Sequence, residues 1–474
     1  MSDRGEPHPK KIYDLAVIGA GSAGFSAAIT AAEQGAQVVL LGDGTIGGTC
    51  VNVGCVPSKT MIRAAEAIHH AHAASRFPGL VANAKITDWG KLIAAKDDLV
   101  STLRQKKYID LLPEYEGITY LEGRAMLCEG GIVTEGEFIP ASKTIIATGS
   151  TSSIPPIDGI QNVSHLDSTG ALDLNQAPKS MLIIGGGVIG CELGQMFSRC
   201  GVKVTICCRS RILPDMEPEI ADALKSALEQ EGITVYTGVQ YQTIKQDKTN
   251  IKLTYIHNNC PNVIEAQTLL LATGRSPNTA GLGLETVGVA TLKNGGIQVD
   301  KYMRTSNSSI YAAGDVTGTD MFVYMAAYGA KLAAKNAISH DLQSYDNRTM
   351  PAVVFTDPQI AAVGLTEAAA KSAGFQVKVS KLDLAHVPRA LAARDTRGLI
   401  KLIADTKTDK LLGAHIIAPE GADSIQSAAL AIKFGMTTKE LGETIFPYLT
   451  TVEGLKLAAQ SFDKDVNKLS CCAG

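Results

Sequence analysis

At 474 residues the chain is long enough for roughly three domains of about 150 residues each. Apolar residues make up 45% and there are 46 glycines, which allows a large close-packed core with many tight turns. Forty-seven acids against 44 bases leave a net charge of −3 without a long basic run, which argues against nucleic acid as a partner.

No run reaches the roughly eighteen uninterrupted apolar residues that a membrane span needs. The polar opening MSDRGEPHPKKI is not a signal peptide; it reads as a disordered tail over 1–11, and a cytoplasmic location is expected. Ten cysteines in a reducing compartment then imply a few working thiols and a remainder of small buried hydrophobes, not a disulfide scaffold.

The first element is YDLAVIGAGSAGFSAAITAAEQGAQVVLL, from Tyr13. A short apolar strand meets Gly-x-Gly-x-x-Gly, an amphipathic helix follows, and a second strand comes next, which is a βαβ unit. Gly19 serves the tight turn, Gly21 allows a backbone to approach a pyrophosphate, and Gly24 allows close helix–strand packing. The second strand of such a unit is usually followed by an acid for a ribose hydroxyl. Here the chain reads Leu41-Gly42-Asp43, so either Asp43 serves from one position later or that contact is lost.

GGTCVNVGCVPSK follows at 47–59 and places Cys50 and Cys55 at the expected start of a helix. A helix N-terminus favours thiolate over thiol, and two thiols this close can cycle between dithiol and disulfide. A zinc site is a poor reading, since no second ligand pair stands at structural-site spacing.

KSMLIIGGGVIGCELGQMFSRCGVKVTICC, from Lys179, repeats the βαβ device with Gly185, Gly187 and Gly190. Its second strand runs into Cys207, Cys208, Arg209, Ser210 and Arg211. Forked arginine donors at that point suit a 2′-phosphate and favour NADPH over NADH. The plain alternative is a pair of solvated surface arginines. Two strand-ending phrases, IIATGS at 145–150 and LLLATGRSPN at 269–278, resemble each other, and IYAAGDVTG spans 310–318. From about 350 the stretches PAVVFTDPQIAAVG, VKVSKLDL and GLIKLIADTKTDKLLGAHIIA predict antiparallel strands.

The cysteine block in this setting resembles the active site of the pyridine-nucleotide disulfide oxidoreductases, and the resemblance runs from about residue 12 to the end. It implies an α/β fold with two Rossmann-like nucleotide-binding domains and an α+β C-terminal dimerisation domain. Their expected bounds are 12–155 and 281–349 for FAD, 156–280 for NADPH, and 350–474 for the dimerisation domain with a cysteine tail. In that family Asp315 of AAGD holds the flavin ribityl chain, Cys55 is the thiol nearest the flavin, and Cys50 is the interchange thiol. Gly48, Thr49, Thr148, Gly149, Gly274, Arg275 and Gly314 fall in the segments that touch the cofactors. Lys59 and Glu192 match a pair near the flavin ring, although as lone residues they could equally be surface and cap groups.

Two features select among members. Disulfide reductases of the family, such as dihydrolipoamide dehydrogenase, use a histidine followed by a glutamate near the C-terminus to manage protons on a thiol substrate. In IFPYLTTVEG at 445–454, Glu453 is present but Tyr448 stands in the histidine's place. A phenol with an ordinary pKa near 10 is a poor proton shuttle at neutral pH; Tyr448 could also be simple packing. The second feature is the terminal LSCCAG, whose Cys471 and Cys472 are adjacent soft ligands. Both features resemble the branch of the family that reduces mercuric ion. There the tail pair captures Hg(II) and passes it, by way of Tyr448, to Cys50 and Cys55, which receive electrons from NADPH through FAD. That branch forms homodimers whose active sites are shared between subunits.

Two departures stand out. Val188 occupies a position in the second glycine loop where many relatives have tyrosine. The N-terminal metal-binding module of some members has no counterpart, so thiol-complexed Hg(II) or another protein is the expected donor. The rival expectations are an NAD(P)H-dependent disulfide reductase, a diaphorase with an idle tail, and a non-enzymatic thiol protein that sequesters metal.

Overall fold

The computed structural model describes residues 12–339 and 342–465. The chain divides into two compact units, one from Met1–Ser58, Lys91–Ser153 and Gly274–Asp346, the other from Lys59–Gly90, Ile154–Thr273 and Asn347–Gly474.

In the first unit the residues Leu15, Ala16, Val17 and Ile18 of β1 (Tyr13–Ile18) are a continuous apolar run buried on both faces, as expected of a central parallel strand. Helix α1 (Ser22–Ala32) crosses to β2 (Val38–Gly42), which pairs parallel with β1 from Leu15↔Val38 to Ile18↔Leu41. With β3 (Ile118–Glu122), β4 (Ala125–Cys128), β5 (Gly131–Thr134) and β6 (Glu137–Ile146) the sheet runs β3-β2-β1-β6-β5-β4, and Ile310–Ala312 adds a seventh strand beside β6. This is the expected βαβ unit, enlarged by a strand contributed from far along the chain.

The second unit holds a four-stranded parallel sheet, ordered Thr234–Tyr236, Lys203–Cys207, Ser180–Ile184, Thr268–Leu271. Its helix Val188–Arg199 follows the second glycine loop. The same unit carries a five-stranded antiparallel sheet built from the three stretches expected after residue 350, covered by helices that include Gly421–Lys433 and Glu453–Gln460. No described helix is long and apolar enough to cross a membrane.

A buried charge cluster ties the loop 355–358 to helix Val188–Arg199. The Glu192 Oε1 accepts the Phe355 N–H at 2.8 Å. One turn later the Gln195 amide accepts the Asp357 N–H at 2.8 Å and donates to its carbonyl at 2.7 Å. Burial pushes the Asp357 carboxyl up, but the His70 imidazole and the Arg199 and Arg397 guanidinium groups outweigh it and hold the acid well below the carboxylate range. A carboxylate depressed on folding stabilises above its ordinary pKa of about 3.9 and loses that contribution as pH falls through the folded value. The melting temperature should therefore drop as pH is lowered from about 5 towards 2. Asp357→Asn should be less stable at pH 7 by roughly 3 kcal/mol, because it strands buried guanidinium charge, yet show a flatter acid limb. Calorimetry across pH reads both effects.

Candidate active site

The first glycine loop is built by two backbone contacts that no side chain would tolerate. A Cβ on Gly19 would lie 2.3 Å from the Ala147 carbonyl oxygen, and one on Gly24 would lie 1.7 Å from that of Gly19. Gly21 faces open space apart from the Gly48 Cα at 3.6 Å from its would-be Cβ. No side chain caps α1, so its first N–H groups and partial positive charge point at the cradle. That is the anion site a dinucleotide pyrophosphate requires, and the residues fit FAD.

The dithiol segment is attached to this cradle. Gly47 and Gly48 are both left-handed, and the Gly47 N–H donates to the Ala20 carbonyl at 2.9 Å. Asn52 donates to the Ile46 and Gly48 carbonyls at 2.9 and 2.8 Å, and Arg104 in turn holds the Asn52 side-chain oxygen. Cys50 sits within the short helix α2 (Gly48–Asn52), and Cys55 is the first residue of α3 (Cys55–His72), 18 residues long. Cys55 thus stands at a helix N-terminus, where the field favours thiolate. Both cysteines are half-buried. Thr49 is exposed beside them.

Two tyrosines from distant segments share this environment. Burial raises the Tyr108 hydroxyl pKa, against a hydrogen bond with Ser22 at 3.4 Å, and Cys50 and Cys55 add to the rise. Burial lifts that of Tyr324 to about 12, with Asp320 and Cys55 contributing. Nothing local in the sequence marked either residue.

Lys59, four residues after Cys55 on α3, pairs with Glu192 at 2.7 Å. The Glu192 side chain is buried and Lys59 also lies 4.9 Å from the Phe355 ring. The two residues that sequence reasoning could leave as separate surface groups are therefore one ion pair.

Asp315 accepts from Ser150 at 2.6 Å, and Arg275 donates to the Ser150 hydroxyl at 2.7 Å and its carbonyl at 2.6 Å. Thr148 and Asn278 exchange hydrogen bonds at 2.7 and 2.9 Å. Gly149, Gly274 and Gly314 are all left-handed, and Gly314 packs against Ala23 and Ala326. The second ATG phrase thus folds onto the first: Arg275 secures Ser150 and Asp315 within the FAD-type unit, and Ser150 is a linking residue that sequence reading missed.

Asp43 is exposed and its carboxylate lies 3.7 Å from Arg124. The space beside Gly42, where an acid would usually stand, is taken by Tyr120; its hydroxyl is buried, without a hydrogen-bond partner among the described residues, 2.7 Å from a would-be Gly42 Cβ.

The second loop repeats the first. A Cβ on Gly185 would be 2.2 Å from the Ala272 oxygen and one on Gly190 2.1 Å from the Gly185 oxygen, while Gly187 is open and no side chain caps the helix behind it. Arg209 is exposed. One terminal nitrogen of Arg211 holds the Pro214 and Met216 carbonyls, while the other is buried without a hydrogen-bond partner among the described residues.

Tyr448 is half exposed, and the buried Glu453 carboxylate accepts the Leu449 N–H at 3.2 Å. Cys471 and Cys472 lie outside the described residues, as does the N-terminal tail.

Two dinucleotide cradles and a thiol pair at a helix head define a flavoprotein dithiol oxidoreductase. The chain belongs to the pyridine nucleotide-disulphide oxidoreductases: the family model matches 13–334 and its dimerisation domain 350–459. Its relatives include mercuric reductases from Staphylococcus aureus and Streptomyces lividans, each 47% identical over 98% of this chain and covered over 84% and 98% of their own lengths. A mercuric reductase from Shigella flexneri is 43% identical over 97% of this chain and 82% of its own length. Among solved structures, the HOCl-induced flavoprotein disulfide reductase RclA from Escherichia coli superposes with a TM-score of 0.84 at 31% identity, covering 94% of this chain and 99% of that one.

Proposed function

We propose that this protein reduces Hg(II) to Hg(0) with electrons from NADPH. The observation that carries the reading is the Cys50–Cys55 pair at the head of α3, on the FAD-type unit of a chain whose relatives over 97–98% of its length are mercuric reductases. The overall change, Hg(SR)2 + NADPH + H+ → Hg(0) + NADP+ + 2 RSH, balances two electrons and two protons.

Gly19, Gly21 and Gly24 with the α1 N-terminus would hold the FAD pyrophosphate, and Asp315 with Ser150 the ribityl chain. Bound there, FAD supplies a two-electron relay between the nicotinamide and the thiol pair. Tyr120, whose buried hydroxyl lies beside Gly42 without a partner among the described residues, would serve the adenosine ribose in preference to the solvated Asp43. The Lys59–Glu192 pair keeps an ammonium one turn from Cys55, which supports thiolate there. Hg(II) enters as a bis-thiolate complex, passes to Cys471 and Cys472, and moves by thiolate exchange past Tyr448 to Cys50 and Cys55. Each step replaces soft ligand with soft ligand, so no bare cation is released. Thr148, Gly149, Gly48 and Thr49 line the FAD side by the same resemblance, and Glu453 fixes the backbone next to Tyr448.

A second copy of the chain would cover the exposed Phe434, Ile445, Tyr448 and Leu449 of the dimerisation domain, and each active site would use both subunits. Action in the cytoplasm fits thiols that must stay reduced.

The decisive assay supplies purified holoenzyme with NADPH and thiol-complexed Hg(II) without oxygen and traps volatile mercury. Stoichiometric Hg(0) per NADPH is expected; NADPH oxidation with an organic disulfide and none with Hg(II) would move the protein to the disulfide reductases. Cys471→Ala/Cys472→Ala should slow turnover at low Hg(II), where capture limits. For nucleotide choice, Arg209→Ala should raise the KM for NADPH roughly tenfold, about 1.4 kcal/mol, and leave that for NADH nearly unchanged. Arg211→Ala should also lower stability, since one nitrogen of its guanidinium holds two loop carbonyls.

A further inference from the structure

The second glycine loop rests on two thiols that the proposed reaction does not use. Cys191, in the first turn of helix Val188–Arg199, is fully buried and points its Sγ at the Gly186 carbonyl oxygen, 3.5 Å away. Cys208, just past the strand Lys203–Cys207, is also buried; its Sγ would be 3.0 Å from a Cβ on Gly186. Gly186 is the middle residue of Gly185-Gly186-Gly187, so both sulfurs bracket the backbone that cradles the nicotinamide dinucleotide. Burial raises the Cys191 thiol pKa steeply, with Cys208 adding to it, and raises that of Cys208 to about 11 against a small opposing effect of Lys225. In the resting protein both are protonated and packed as small hydrophobes.

We infer that Cys191 and Cys208 form a second soft-cation site, in which Hg(II) bound between the two sulfurs distorts the Gly185–Gly187 loop and shuts off nucleotide binding. The chemistry suits the surroundings. Two thiolates around Hg(II) make a neutral unit, which buried surroundings accept, whereas a hard dication would bring uncompensated charge and meet only neutral carbonyl oxygens beside the sulfurs. No group of three His, Cys, Asp or Glu able to hold a metal exists among the described residues, which disfavours ions that need higher coordination. Loading is a ligand exchange, Hg(SR)2 + 2 Cys–SH → Cys–S–Hg–S–Cys + 2 RSH. Both protons leave on the released thiols and no electrons move. Because the sulfurs are buried, the loop must open first, so the site fills only when mercury outruns turnover. A bound nucleotide protects it. The outcome is a brake that stops reductant consumption in an enzyme overloaded with its own substrate.

The test reads binding and not turnover, so it stands apart from the fate of the mercury-reduction proposal. FAD-loaded protein carrying Cys50→Ser, Cys55→Ser, Cys471→Ser and Cys472→Ser is exposed to excess Hg(II) bis(2-mercaptoethanol) complex, desalted into the same thiol, and assayed for mercury per chain and for NADP+ affinity by calorimetry. One Hg(II) retained per chain with at least a tenfold loss of NADP+ affinity is expected. Both effects should vanish on adding Cys191→Ala or Cys208→Ala, each variant's NADP+ affinity being compared with and without mercury on the same protein. Saturating NADP+ during exposure should slow loading at least tenfold. Should an alanine variant misfold, the corresponding serine variant replaces it, since its weak oxygen donor also abolishes the soft pair. Mercury retained without either cysteine, none retained by the parent, or retained mercury with unchanged NADP+ affinity would each overturn the inference.

Discussion

Cys55→Ala and Cys50→Ala should each lower the kcat/KM for Hg(II) by about a thousandfold or more, near 4 kcal/mol of lost transition-state stabilisation. FAD content should remain one per chain, because neither side chain builds the cradle formed by Gly19, Gly21 and Gly24. The two sulfurs act as a unit, so the double variant should be scarcely worse than either single one. Additive losses would mean that each thiol contributes separately, and the exchange scheme would fall. With FAD bound, Cys50, the interchange thiol of the resemblance, should be the more readily alkylated of the two at pH 7, since alkylation needs access and Cys55 would be the thiol against the flavin. Trapped mercury vapour, flavin absorbance and timed alkylation measure these outcomes.

Gly24→Ala should give protein that emerges without flavin. Its methyl would sit 1.7 Å from the Gly19 carbonyl oxygen and 2.9 Å from its carbon, backbone atoms that cannot swing aside as a flexible side chain could. Overpacking of this kind commonly costs about 1–3 kcal/mol, more where the backbone must shift, and the shift here opens the FAD cradle itself. Gly190→Ala is the matched experiment. Its methyl would meet the Gly185 oxygen at 2.1 Å, so it should retain flavin but bind NADPH at least roughly tenfold more weakly. Flavin absorbance and NADPH titration separate the two loops. Full flavin occupancy in Gly24→Ala would refute the assignment of the first loop.

Much of the site was legible because its signals are local. An apolar run, a Gly-x-Gly-x-x-Gly turn and a helical period fall within about thirty consecutive residues, and each βαβ unit formed where that pattern stood. Cys50 and Cys55 were legible for the same reason, five residues apart with glycines at the turns that set α2 and α3. Arg275 was not. Its phrase closes the nucleotide strand Thr268–Leu271, yet its guanidinium holds Ser150 and Asp315, at sequence separations of 125 and 40. Arg211 carried the right charge beside the second strand; one of its nitrogens holds carbonyls of its own loop, and the other terminal nitrogen is buried without a partner among the described residues.

Sequence alone therefore determined the two cradles, the thiol pair and the antiparallel C-terminal sheet, since each is written in the periodicity of neighbouring residues. Tertiary structure decided which distant groups meet. It joined Lys59 to Glu192, brought Tyr108 and Tyr324 to the thiols, set Tyr120 beside Gly42, and stacked Cys191 and Cys208 under Gly186. The reason is physical: backbone geometry and burial period act over a few residues, whereas a side chain's partner depends on how whole elements pack, which local pattern does not encode.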